Sequence, residues 1–521
     1  MSRIRTVAIV IGALVGAAPP VAGQRSAGPL PVTAEWSATT TVAPPPVARE
    51  FRGVWVATVG NIDWPSAPGL STAQQQAELT AILDRAAALH LNAVIFQVRP
   101  SADAMYASRL EPWSSFLTGR MGRAPDPPWD PLAFAVRAAH ARGLELHAWF
   151  NPFRARYPGD DSPAARSHVS RRDPRVVHHY GRYLWMDPGS VEARHQAIRV
   201  ILDVVKRYDI DGVHLDDTFY PYPVMEGGKE VPFPDGATFR AYRARGGKLD
   251  RDDWRRHNVD LFVQQLYVAV KREKRWVKVG ISPFGIWRPG NPPGVRGFDA
   301  YAKLFTDSRK WLAEGWVDYL APQLYWPIAR PQQSYADLLA WWVNQNTKSR
   351  NLWAGNYAAR AAGTAGGSEV WPSAEILDQI RLTREEPGAS GDIFFSMAAL
   401  LSDPDSLDER LLAGPYAAPA LVPDFPWLSA GTPARPGVML ARAPRTGALV
   451  AHLTPGGKRV PWQWVLQARV DGAWRSVILP GTAREYTLAD GFGNADAVSL
   501  IAVDRVGGES APAVIVQATD F

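Results

Sequence analysis

Cysteine is absent from all 521 residues. No disulfide can staple the fold and no thiolate can hold a metal, so stability must come from a buried core. Dense basic runs are missing too: 57 Lys and Arg are interspersed with 51 Asp and Glu, leaving a net charge of +6. That spread excludes a dedicated nucleic-acid surface. Beyond the N-terminus no apolar stretch reaches the roughly 20 residues of a membrane span. No GxGxxG turn follows the first apolar run, which weighs against a doubly wound nucleotide-binding sheet. Histidine is scarce, at 10 residues, and the His178 and His179 pair has no counterpart at metal-ligand spacing. Neither a metal nor a cofactor is therefore expected.

What is present begins with an address. Arg3 and Arg5 precede an apolar run over 7–18, and small residues follow at Ala22 and Gly23. Residues 1–23 read as a signal peptide, with no Cys behind it to carry a lipid, so the protein is expected to be exported to the periplasm or beyond. After cleavage no transmembrane segment is expected. Residues 24–49, rich in Ala, Thr and Ser with prolines at 44–46, read as a flexible linker.

From Glu50 onward, short apolar runs alternate with amphipathic helical stretches, the signature of parallel βαβ units. Eight runs can be counted, at 53–59, 92–98, 144–150, 212–216, 277–281, 318–324, 352–356 and 392–397. Between them, Leu79, Ile82, Leu83 and Ala86, and likewise Val259, Phe262, Val263, Leu266 and Val270, recur at helical spacing. The expected fold is an α/β (β/α)8 TIM barrel over 50–420. After Pro423 helical periodicity gives way to alternating runs broken by Gly and Asp. The stretch 436–521 is read as a small all-β sandwich of immunoglobulin or fibronectin type III kind. The segment from Ala502 to Pro512 resembles the last hairpin of a fibronectin type III domain.

A barrel carries its chemistry at the C-terminal strand ends. Those ends bring Asp63 and Trp64, then Gln97, Arg99 and Asp103, then Trp149, Asn151 and Arg154. His214, Asp216, Asp217, Tyr220 and Tyr222 mark the fourth, and Gln323, Tyr325, Trp326 and Asn356 follow. Carboxylates and amides bond hydroxyls, and flat rings stack on pyranose faces, so this rim suits a sugar polymer. The plain alternative for Asp63 is a turn cap, and for Trp149 or Trp326 packing. Asp216 and Asp217 resist it, because a charge ending an apolar strand is costly without a function. Glycoside hydrolysis needs two carboxyl groups. Asp216 is the first; Asp217, Asp103 and Asp63 are candidates for the second, in that order, with Glu226 and Glu230 as outside choices. His214 shares the side of Asp216 and could bond a hydroxyl or tune that carboxylate. Arg99 could pair with an acidic substrate group.

Several stretches carry a family resemblance. They are Glu50-Phe51-Arg52-Gly53-Val54-Trp55 with Asn61-Ile62-Asp63-Trp64-Pro65, Phe96-Gln97-Val98-Arg99-Pro100, and His147-Ala148-Trp149-Phe150-Asn151-Pro152. Asp211-Gly212-Val213-His214-Leu215-Asp216-Asp217, Gly280-Ile281-Ser282-Pro283 and Ala321-Pro322-Gln323-Leu324-Tyr325-Trp326 continue the series. Over 50–415 the sequence resembles the glycosyl hydrolase-like family ten of bacterial envelope proteins, which is distinct from the xylanase family of the same ordinal. The resemblance implies a barrel glycosidase acting on peptidoglycan glycan strands, including strands stripped of peptide. More distantly, Gly212 to Asp216 is similar to the fourth-strand motif of the α-amylase superfamily, whose closing Asp is the nucleophile. The fifth strand ends in Ser282 without that superfamily's acidic Glu, so the acid stays unassigned by analogy.

The expected function is thus an exported glycoside hydrolase whose partner is a polysaccharide, peptidoglycan glycan or similar, with envelope proteins as a second partner class for the sandwich. Two rivals remain open: a binding barrel that has lost catalysis, and a metal-dependent polysaccharide deacetylase or hydrolase using Asp216 and Asp217 with a distant His as ligands.

Overall fold

The computed structural model describes residues 30–31, 36–361, 363, 369–488 and 492–517. The expected signal peptide lies outside them. Eight parallel strand positions close into a barrel: Phe51–Val56, Ala93–Arg99, Glu145–Phe150, Gly212–Leu215, Lys278–Ile281, Tyr319–Leu320, a split seventh strand, and Gly391–Phe394. The seventh is Asn351–Leu352, which pairs with the sixth, and Ala354–Asn356, which pairs with the eighth; the eighth pairs with the first and closes the ring. All eight runs read from the sequence form strands, though several are shorter than expected. Pro322 has no N–H to give a ladder, and the sixth strand stops two residues before it.

Two packed layers result. Alternate residues Phe51, Trp55, Ile95, Trp149, Tyr319 and Trp353 fill the barrel interior. Val54, Val56, Val94 and Phe96 face outward onto the helices. These include Thr72–Ala88, which buries Leu79, Ile82, Leu83 and Ala86, and Arg251–Glu273, which buries Val259, Phe262, Val263, Leu266 and Val270. Two glycines make room inside: a Cβ at Gly212 would strike the His147 ring, and one at Gly280 the Tyr319 ring. No described helix is long and apolar enough to cross a membrane.

The chain after the barrel forms two antiparallel sheets whose facing residues, Val438, Leu440, Ala451, Trp464, Leu466 and Leu500 among them, share one core. Here the linker reading of 24–49 needs correction. Leu30–Pro31 pairs with Gly437–Arg442 in one sheet, Trp36–Thr39 pairs with Ala513–Gln517 in the other, and Trp36 packs on the shared core. Pro45 O accepts from Gln467 Nε2 at 2.9 Å. Low-complexity composition speaks to hydrophobic patterning, but an edge strand is held by its backbone, which composition does not report.

Candidate active site

Asp216 is the first residue past the fourth strand, and a directed amide chain fixes it. Backbone N–H groups of Thr58 and Val59 donate to Gln97 Oε1, each at 2.8 Å. Gln97 Nε2 must then donate, and it does so to Asn151 Oδ1 at 2.6 Å. Asn151 Nδ2 in turn donates to Asp216 Oδ2 and to Thr218 Oγ1. The other Asp216 oxygen accepts from Thr218 N at 3.1 Å and Thr218 Oγ1 at 2.6 Å. Asp216 thus receives hydrogen bonds from three donors and its aim is set by three strands.

Asp217 sits in a different environment. It is buried, and burial together with the neighbouring Asp216 carboxylate pushes its carboxyl up to about 7; hydrogen bonds from Tyr222 and Gln323 pull the other way. Tyr222 Oη donates to Asp217 Oδ2. Gln323 is held by its own bond from Nε2 to Ser282 O at 2.9 Å. One carboxyl that stays protonated toward neutrality adjoins one that only accepts hydrogen bonds.

Around this pair lie Tyr325, stacked on Tyr357 with centroids 4.6 Å apart, and Phe395 beside both. Trp326 packs against Phe284 at 5.6 Å, and Tyr222 lies against Phe298 at 5.3 Å. Trp149 is buried at the top of the barrel interior, edge-on to His214, and its indole N–H has no acceptor in the protein. Arg154 Nε donates to Pro100 O at 2.8 Å while Nη2 is unpartnered; burial holds its pKa below the ordinary value, and Asp216 is the largest charge opposing that.

Several expected site residues belong elsewhere. Arg99 is fully buried in a paired salt bridge with Glu111, at 2.7 and 2.5 Å, and cannot reach a substrate. Trp64 is core, its Nε1 bonded to Gln75 O at 3.0 Å. Tyr220 is core against Phe233 and Phe305. Asn356 bonds Tyr335 and Asp392 inside the fold. Asp103 is wholly buried, held by Ser101 N, and burial raises its carboxyl to about 7. Asp63 is a clasp: it accepts from Ala57 N, Ser396 Oγ and Ala398 N, each at 2.7 Å, tying the first strand end to the eighth. Gln97 positions Asn151 and is itself buried. Glu226 and Glu230 lie on an exposed hairpin, with Glu230 paired to Lys303.

His214 is also a correction. It is fully buried, and behind it runs a relay down the barrel axis that the sequence reading did not anticipate. Trp55 Nε1 lies 3.0 Å from His214 Nε2, His214 Nδ1 2.9 Å from Tyr319 Oη, and Tyr319 Oη 2.9 Å from His147 Nδ1. His147 Nε2 lies 3.0 Å from Glu145 Oε2, and Lys278 Nζ 2.5 Å from Glu145 Oε1. An indole can only donate and a carboxylate paired with Lys can only accept, so both ends dictate one polarity. Trp55 donates to His214, His214 Nδ1–H to Tyr319, Tyr319 to His147, and His147 Nε2–H to Glu145. Burial, and secondarily His147, holds the His214 pKa well below its ordinary value, consistent with a neutral ring. Ser282 Oγ, 3.2 Å from His214 Nε2, can only donate to it. Thr218, Trp55 and Phe395 were missed as well; the Asp-x-Thr spacing after the fourth strand was the one local signal for Thr218.

Among the described residues no group of three or more His, Asp or Glu is placed to hold a metal ion. Comparison with known proteins gives three further findings. The sequence profile of the family described as glycosyl hydrolase-like 10 matches residues 50–364. The glycosyl hydrolase YngK of Bacillus subtilis (strain 168) is 40% identical over 413 residues, covering 77% of this chain and 79% of that protein. The glycosyl hydrolase DigH of Escherichia coli (strain K12) is 33% identical over 377 residues, covering 67% and 83%. Among solved structures, the glycoside hydrolase domain of PgaB (BpsB) from Bordetella bronchiseptica is similar with a TM-score of 0.48 at 15% identity, covering 70% of this chain and 98% of that one.

Proposed function

Because the chain belongs to the glycosyl hydrolase-like 10 family, we propose that this glycoside hydrolase works through Asp217 as general acid and Asp216 as nucleophile or base, on glycan strands of the bacterial envelope. The observation that carries the reading is the contrast between the two neighbours, one carboxyl raised to about 7 and the other supplied only with donors. Protonated Asp217 gives its proton to the glycosidic oxygen as the C–O bond breaks. Asp216 meets the developing positive charge at the anomeric carbon, either directly or by taking a proton from the attacking water. Tyr325 and Trp326 supply ring faces, and the free indole N–H of Trp149 can donate to a hydroxyl.

Two features favour peptidoglycan glycan as the polymer. The N-terminal Arg and apolar pattern fits an export signal, which would bring the protein to the envelope. The unpartnered Nη2 of Arg154 suits an acidic sugar, and strands stripped of peptide expose carboxylates. The test is hydrolysis of purified peptide-free strands by parent and Asp216→Asn proteins. Parent enzyme should release oligosaccharides and the variant should be slower by about 10³-fold or more in kcat while folding normally. A folded variant of near-parental rate rules out the assignment of Asp216.

A further inference from the structure

At the barrel end opposite Asp216 the C-terminal sheets leave a cleft of about 740 Å³ against the strand N-termini, within the range of roughly 300–1,000 Å³ usual for ligand sites. Its lining includes Trp276, Trp462, Asp209, Arg505, Lys458 and Arg459. Trp276, two residues before the fifth strand, keeps 37% of its surface exposed. Arg505 lies over the Trp462 ring at 5.0 Å, its Nη2 pairs with Asp209 at 2.5 Å and its Nη1 faces the buried Asp211 carboxylate at 3.5 Å.

We propose that this cleft is a second, non-catalytic glycan-binding site that holds one stretch of the polymer while the barrel mouth acts on another. The proposal rests on the reading of the protein as a glycan hydrolase. A pyranose offers an apolar C–H face to Trp276 and a rim of hydroxyls, which can donate to the exposed Asp209 carboxylate and accept from the exposed Lys458 or Arg459. A proline-rich peptide would cover the indole, but its carbonyls can only accept and would give the exposed Asp209 carboxylate no donor beyond Arg505. None of the residues concerned lies near Asp216 in the barrel, so the two sites can be altered separately.

The experiment uses full-length protein. Retention on beads of peptidoglycan sacculi, chitin and mannan is compared for Asp216→Asn and for the same protein carrying Trp276→Ala. Hydrolysis of soluble oligosaccharides is measured for Trp276→Ala alone. We expect about tenfold weaker retention on the glycan that the parent binds, with soluble hydrolysis unchanged. Unchanged retention, absence of parental binding to every glycan, loss of soluble hydrolysis in Trp276→Ala, or capture by polyproline beads in place of glycan would each overturn the proposal. If the parent hydrolyses no soluble oligosaccharide, the failure is that of the proposed function, and the bead comparison still reads the cleft.

Discussion

Replacing Asp217 by Asn should make the protein more stable above neutrality while abolishing its chemistry. Burial and Asp216 together raise the Asp217 carboxyl from its ordinary 3.8 to about 7. At 1.36 kcal/mol per pH unit that displacement is worth about 4 kcal/mol. The direction follows from linkage: a raised carboxyl favours the folded state fully below pH 3.8, and that contribution fades as pH climbs to about 7, where the folded protein must at last ionise a buried group beside another carboxylate. Asn keeps an oxygen for the Tyr222 hydroxyl and carries no charge. The variant should therefore match the parent at pH 4 and exceed it at pH 8 by on the order of 4 kcal/mol or less. Urea unfolding at both pH values reads the difference, and hydrolysis assays read the loss of the acid. A variant no more stable than the parent at pH 8, or one that still turns over glycan at the parental rate, refutes the argument. The same titration predicts that the parent's kcat declines as pH rises through about 7.

Two further outcomes are expected. Glu111→Gln should destabilise the fold by about 3–5 kcal/mol, because it leaves the Arg99 guanidinium buried without its counter-charge, and it should leave KM unchanged; chemical unfolding and steady-state kinetics check both. Tyr319→Phe should cost about 2–4 kcal/mol by orphaning two ring nitrogens, and nitrogen NMR of the parent should find His214 protonated at Nδ1; a proton on Nε2 contradicts the relay's polarity.

The barrel was legible because its evidence is local. Eight apolar runs of strand length and helices with Leu79, Ile82 and Leu83 on one face leave few architectures open. The strand at Trp36–Thr39 was not legible, since its pairing with Ala513–Gln517 joins residues at opposite ends of the chain. Period-two reasoning also stopped short at the fourth strand. Adjacent residues there would point apart, but the strand ends at Leu215, which frees both Asp216 and Asp217 to contribute to one mouth.

The second carboxylate shows why strand-end chemistry alone could not finish the assignment. Asp63, Asp103, Asp217 and Asp392 all have raised carboxyls, to about 6, 7, 7 and 8, and in every case burial is the leading cause. A perturbed acid is therefore common in this barrel, and perturbation by itself selects nothing. What separates them is the company each keeps. Asp63 spends its oxygens on three donors that join two strand ends. Asp392 answers Asn356 and Thr383 inside the fold. Asp103 is enclosed with Ser101 and Ser114. Asp217 and Asp392 each have a second carboxylate as the next largest cause, Asp216 and Glu50, but Glu50 is paired with Arg52 and Arg384 inside the fold, whereas Asp217 has Asp216 beside it and Tyr222 and Gln323 reaching it from the rim. Both conditions, a neighbour of like charge and access from the mouth, depend on which strand ends meet, and a linear sequence carries neither.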